Sequence, residues 1–255
     1  MTEGFILIIN NNKIRNDNKM NFDFKVETHL HTCQASACAV STGAEMARAC
    51  KRAGYCAIVV TDHFFNGNTA IRGEFYPWDD KISLFMRGYE DAKTEGDKIG
   101  LDVYFGFELC DKGTEFLIYN YSEEKIRAYP EIMSESIEKV LTKIRKDGGF
   151  VIHAHPFRNE YHIQQPGRIF PDYIDAVEVI NTHNRLNESN RLALDYAEKY
   201  NLIKFGGSDT HSASTSLNIM QSGGMAFLKK PKSLDDIIDM AKKSECKILG
   251  EEYLK

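Results

Sequence analysis

Six short apolar or β-branched runs recur along the chain, separated by stretches of helical period, and each leads into residues that can bind a metal. The run "FDFKVE" leads into Thr28, His29, Leu30 and His31, "CAIVV" into Thr61, Asp62 and His63, and "LDVYFGF" into Glu108. Further on, "GGFVI" leads into His153, Ala154, His155 and Pro156, "DAVEVI" into Asn181, Thr182 and His183, and "LIKFGG" into Ser208, Asp209, Thr210 and His211. Of the eight histidines, only His162 lies away from a run end. Alternating strands and helices imply β/α units and a parallel sheet. If that sheet closes into a barrel, all strand carboxyl ends open onto one face, where residues distant in sequence meet.

Helices are predicted over 42–53, 79–98, 131–146, 188–200 and 233–243 from apolar period and capping residues. Strand-like material at 114–119 and near 225–228 adds to the six runs. The expected fold is therefore α/β, a TIM-like β/α barrel of about seven strands forming one domain over residues 21–255. Residues 1–20, with "NNNKIRNDNKM", are polar and aperiodic, and are expected to be a flexible extension, whether the natural start is Met1 or Met20.

Composition narrows the function classes. A net charge of −5 with scattered lysines and arginines provides no basic stripe for a nucleic-acid backbone. No apolar run approaches the ~18 residues of a membrane span, and "GFILIIN" is short and lacks a basic leader, so a cytoplasmic location is expected. The six cysteines form no C-x-x-C pair and are expected to be reduced thiols.

Imidazole suits zinc, iron, copper and nickel, while carboxylates both ligate and bridge, so histidines gathered with Glu108 and Asp209 fit borderline divalent ions. His29 and His31, one residue apart on a strand, point to the same face and can hold one ion together.

The stretches "HLHT", "TDH", "GFE", "HAHP", "EVINTH" and "GSDTH", in this order between residues 26 and 211, resemble the PHP family of metallohydrolases, named for polymerase and histidinol phosphatase. The resemblance implies a distorted seven-stranded β/α barrel with two or three divalent ions (zinc, manganese or iron) in a cleft at the strand ends. It also implies that His29, His31, Glu108 and Asp209 hold one ion, and that His155 and His183 hold a second bridged by Glu108. A third ion would use His63 and His211 with a histidine six residues beyond His31, where this chain has Ala37; either Cys38, one position further, substitutes, or the site is empty or completed by water.

The activity implied is hydrolysis of a phosphate ester, small monoester or diester, by metal-activated hydroxide with no covalent intermediate. Glu108, Asp209, His63 and His211 would carry the chemistry. Arg158 and Arg185, just beyond predicted ligands, could fork onto the phosphate. His153 is a candidate for supporting the ligands and loop 64–80 for a substrate wall, with Tyr76 and Trp78 either covering the cleft or packing against the following helix. The rival readings are an amidohydrolase-type barrel cleaving C–N or C–O bonds and a non-catalytic metal-binding scaffold.

Overall fold

The structure is a computed structural model describing residues 21–72, 76–160, 163–214 and 223–255. The first 20 residues and His162 lie outside that description, so the expectation of a flexible extension is untouched. The strands are β1 (Phe24–Leu30), β2 (Tyr55–Val60), β3 (Asp102–Asp111), β4 (Thr114–Tyr119), β5 (Phe150–Ala154), β6 (Ala176–Asn181), β7 (Ile203–Gly207), β8 (Met225–Phe227) and β9 (Cys246–Ile248). The helices are α1 (Gly43–Arg52), α2 (Trp78–Ile99), α3 (Glu123–Arg127), α4 (Ile137–Lys146), α5 (Asn187–Lys199) and α6 (Leu234–Lys242).

All nine strands form one sheet in the order β7-β6-β5-β4-β3-β2-β1-β8-β9. The sheet curls until β7 meets β1: Leu30 bridges to Thr210, and the His31 N–H donates to the Thr210 carbonyl at 2.9 Å. A nearly closed barrel results. The parallel seven-stranded expectation needs correcting in two places. First, β4 runs antiparallel to both β3 and β5. The cause is local: Lys112 and Gly113 take φ of 54° and 85°, the positive values a two-residue hairpin turn demands, so Asp111 pairs directly with Thr114. Second, β8 and β9 extend the sheet beyond β1 as an antiparallel flap, and Cys246–Ile248 carries too little apolar pattern to be seen in the sequence.

Four of the five predicted helices begin and end within a residue of where the sequence places them, and the short α3 is an addition. Thr42 and Glu45 form a reciprocal cap at the start of α1, satisfying two otherwise orphaned N–H groups. At the far end of α2, Gly100 adopts φ 68°, which glycine accepts without strain. The predicted helix at 131–146 is shorter, because Pro130–Met133 forms a 3-10 turn before α4.

Trp78 is not a cleft wall. Its ring packs edge-on against Phe64 and Phe65, and its Nε1–H donates to the carbonyls of Ile126 and Arg127, tying α2 to α3. From the same loop, Asn66, Gly67 and Asn68 do line the central cavity. His153 is also displaced from its expected role: it is fully buried, stacked on Phe116 and edge-on to Phe170 and Tyr196. Burial holds its pKa at about 3, so it is a neutral core ring that does not touch the site.

Candidate metal centre

The strand carboxyl ends deliver their polar side chains to one mouth. Glu108, on β3 and fully buried, sits at its centre. Its Oε1 lies 3.3 Å from both His29 Nε2 and His155 Nε2, and its Oε2 lies 2.7 Å from His63 Nδ1 and 3.6 Å from His31 Nε2. On the opposite side, Asp209 Oδ1 lies 3.1 Å from His31 Nε2 and 3.4 Å from His29 Nε2. Asp209 itself takes φ 53°, a left-handed conformation that turns its carboxylate inward past the end of β7.

The outer nitrogens of these rings are fixed by the protein, which decides what the inner ones can do. His29 Nδ1 donates to Glu178 Oε1 at 2.9 Å. His31 Nδ1 lies 3.1 Å from Ser36 Oγ, whose own hydrogen goes to Asp62 Oδ1 at 2.7 Å, so the ring must donate. His211 Nδ1 donates to the Asp209 carbonyl at 2.8 Å. In the neutral form each ring therefore turns an Nε2 lone pair into the mouth, the tautomer a cation requires.

The carboxylate atoms at the centre tell the same story. Both oxygens of Glu108 and Nδ1 of His63 are buried and make no hydrogen bond among the described residues despite their close approach, while Asp209 Oδ2 is met by the Arg158 guanidinium at 2.7 Å. Buried polar groups left in this state are costly unless something else satisfies them, and a divalent cation would. The donor set fits one: His29, His31 and Asp209 form one compact group, His31, His63 and His211 another, and His63, Glu108 and Glu115 a third.

Charge follows geometry. Burial alone would push the His29 pKa down, yet Glu178, Asp209 and Glu108 around it lift it well above the usual imidazole range. Burial works the same way on His63, where Glu108 outweighs it. His31 goes the other way, held well below that range by burial and by the His63 and His211 charges. The Cys38 thiol is exposed at the rim; against the effect of desolvation, hydrogen bonds with His211 and His63 bring it down to about 7. Its neighbour Ala37 offers no donor and spends its backbone N–H on the Asn68 carbonyl.

Other predicted residues take different places. His183 lines the same cavity with its ring 5.6 Å from that of His211, outside the compact donor groups. Arg158 is already engaged: its Nη2 reaches Asp209 Oδ2 at 2.7 Å and Asn181 Oδ1 at 2.9 Å, and its Nε reaches Asn184 Oδ1 at 2.9 Å. Arg185 is 83% exposed at the rim, 3.9 Å from Glu160.

Sequence reasoning missed Glu115, Glu178 and Asp62 as parts of this assembly. Glu178 accepts from His29 and also from the His155 N–H and Asn181 Nδ2, each at 3.0 Å. Asp62 accepts from Thr32 and Ser36 and so holds the hydroxyl that orients His31. The signal for Glu178 was present, an acid inside the otherwise apolar run "DAVEVI". Space around Glu178 depends on Gly207, where a Cβ would come within 2.4 Å of Glu178 Oε1 and 2.6 Å of His29 Cβ. Gly207→Ala is therefore expected to cost about 1–3 kcal/mol by overpacking, measured as a loss in urea midpoint; an unchanged midpoint would show that β7 yields freely.

Residues 187–215, from the start of α5 through the Asp209 turn, match the family described as PHP-associated. An uncharacterized protein of Methanocaldococcus jannaschii is 34% identical over 80 residues, which cover 29% of this chain and 33% of that protein. Among solved structures, a two-domain protein from Bacteroides vulgatus containing a predicted PHP-like metal-dependent phosphoesterase superposes with a TM-score of 0.63 at 16% identity, over 88% of this chain and 63% of that one. A structure from Bifidobacterium adolescentis described as a "putative metal-dependent phosphoesterase" gives 0.53 at 15% identity, over 86% and 96% of the two chains. An amidohydrolase from Chromobacterium violaceum, with bound sulfate and no metal, gives 0.50 at 12%, over 88% and 98%. The chain thus spans a third of the curated relative and under two thirds of the Bacteroides protein. At these identities the superpositions speak for the fold. The matched segment closes on the turn that brings Asp209 and His211 to the cluster, in a barrel fold similar to that of the PHP-like protein from Bacteroides.

Proposed function

We propose that this protein hydrolyses phosphate esters in a metal-dependent reaction at the barrel mouth. The observation that carries the reading is the position of Glu108, whose two oxygens reach His29 and His155 on one side and His63 on the other. A carboxylate so placed would be able to serve two cation positions at once. His29, His31, Glu108 and Asp209 would hold one ion, and His155, with His183 at the rim, a second. When bound, paired divalent ions activate water and neutralise charge on the attacking and leaving oxygens of a phosphoryl group.

The chain's own residues supply the rest. Glu178 and Ser36 hold His29 and His31 in register, and Arg158 offsets the negative charge of Asp209. His63 and His211 border the cavity, where either can hand a proton to a leaving oxygen when not engaged as a ligand. Arg185 stands at the rim, free enough in reach to meet an incoming anion. The cavity has a volume of about 710 Å³, room for a substrate well beyond phosphate itself. No helix among the described residues is long and apolar enough to cross a membrane.

Cys38 is assigned as the remaining donor to the His31, His63 and His211 group, in place of the imidazole absent at Ala37. Zinc per chain is expected to fall in Cys38→Ala; equal content in both proteins would remove the thiol from the site.

The direct test of function is a panel of phosphomonoesters, phosphodiesters, amides and lactones, run on protein loaded separately with zinc, manganese or iron. Turnover of phosphate esters alone is expected. The Chromobacterium neighbour makes C–N or C–O bond cleavage the second reading, and turnover confined to amides or lactones would establish it in place of the first.

The raised pKa values of His29, His63 and His211 also fix a sign. His29 and His63, lifted well above the usual imidazole range, carry protons that a cation must displace, and His211 is shifted in the same direction, whereas Glu108 and Asp209, held well below the usual carboxylate range, are already ionised. Binding is expected to release protons, and affinity to climb with pH across the neutral range. Titration calorimetry in two buffers of different ionisation enthalpy measures this; equal apparent enthalpies would contradict it.

A further inference from the structure

Glu115 enters the mouth from a strand that none of the ligand motifs touches. The turn at Lys112 and Gly113 sets the register of β4 so that Glu115 faces Cys110 and Leu117 faces Glu108. Alternation along a strand then puts Glu115 on the same face as Glu108, its diagonal neighbour. Its Oε1 lies 3.7 Å from His63 Nδ1 and its Oε2 3.6 Å from His155 Nε2, with its side chain only 14% exposed. Two carboxylates side by side repel, which a cation between them would relieve, and the atoms that face the gap, both oxygens of Glu108 and Nδ1 of His63, are buried without a hydrogen bond among the described residues.

We propose that Glu115 is a metal ligand: with Glu108 and His155, and with His63 alongside, it forms a carboxylate-rich position selective for a hard divalent cation such as manganese. The neighbouring His31, His63 and His211 group is made of imidazoles and has a thiol beside it, a softer set that suits zinc. One mouth would then hold two kinds of ion. The inference rests on the metal-centre reading of the site and not on phosphate ester cleavage.

The test uses the full chain stripped of metal by chelator, as wild type, Glu115→Gln and Glu115→Asp. Free manganese is followed by its electron paramagnetic resonance signal, and zinc by competition with a chromophoric chelator. In Glu115→Gln, manganese affinity is expected to fall at least ~10-fold while zinc affinity and content stay at the wild-type level, with Glu115→Asp recovering part of the loss. Unchanged manganese binding in Glu115→Gln, or parallel loss of both ions, overturns the proposal. If the glutamine variant does not fold, anomalous scattering from manganese in wild-type crystals decides: a peak bonded to the Glu115 carboxylate supports it, and a peak out of its reach refutes it. Wild type that takes up neither ion would bring down the metal-centre reading as well, an outcome distinct from a variant that behaves like wild type.

Discussion

Glu108→Gln is expected to lower phosphate ester turnover by ~10²–10³-fold and to reduce the metal bound per chain. The substitution keeps the shape of the side chain and removes its charge. In the native protein both carboxylate oxygens are buried, unpaired by hydrogen bonds among the described residues, and surrounded by the ring nitrogens of His29, His31, His63 and His155. An amide in that place would turn an N–H toward nitrogens that should present lone pairs, and it would bind two cations poorly. Loss of the charge also removes the partner that lifts His63, so the apo protein should adjust by releasing protons from its imidazoles rather than by unfolding. Mass spectrometric metal content and kcat on the best substrate of the panel measure the two effects. Turnover within ~3-fold of wild type would mean that Glu108 does not bridge.

The second large effect concerns stability. Arg158→Met is expected to destabilise the metal-free protein by about 3 kcal/mol, because removing one partner of a buried ion pair strands the other. For a chain of this size that corresponds to roughly 6–12 °C in melting temperature. Arg158 is 12% exposed and bonded to Asp209, Asn181 and Asn184, so its charge is fixed beside the carboxylate. A divalent ion against Asp209 would supply the missing positive charge. The difference between variant and wild type should therefore shrink when manganese or zinc is added. Melting curves in chelator and in excess metal test this; an equal loss in both would reduce the role of Arg158 to packing.

Much of this architecture was legible in the chain because the two signals, strand period and ligand type, coincide at the same places. Six apolar runs became β1, β2, β3, β5, β6 and β7, and their ends converge as a barrel requires. What remained hidden depends on backbone geometry or on pairing. Asp-Lys-Gly-Thr is a hairpin only once Lys112 accepts a positive φ, and until then β4 has no direction and Glu115 has no face. The tie from Glu178 to His29 spans 149 residues, and no local pattern announces it. Arg158 was read as free to meet phosphate since its neighbours in sequence gave no hint of Asp209, which reaches it only through the closure of β7 on β1. His153 looked equivalent to His155 by spacing, but the strand ends at Ala154 and His155 turns away at φ 26°, so the two rings part company.

The meeting of β1 with the loop after β7 has a further consequence for how the protein matures in the cell. The first two imidazoles leave the ribosome early, and the aspartate that completes their set follows only after most of the barrel has been made. Until then the nascent chain presents histidines and acids in pairs too sparse to retain an ion firmly. A cation that used both ends of this set would find its full complement of ligands only after the ring of strands has shut.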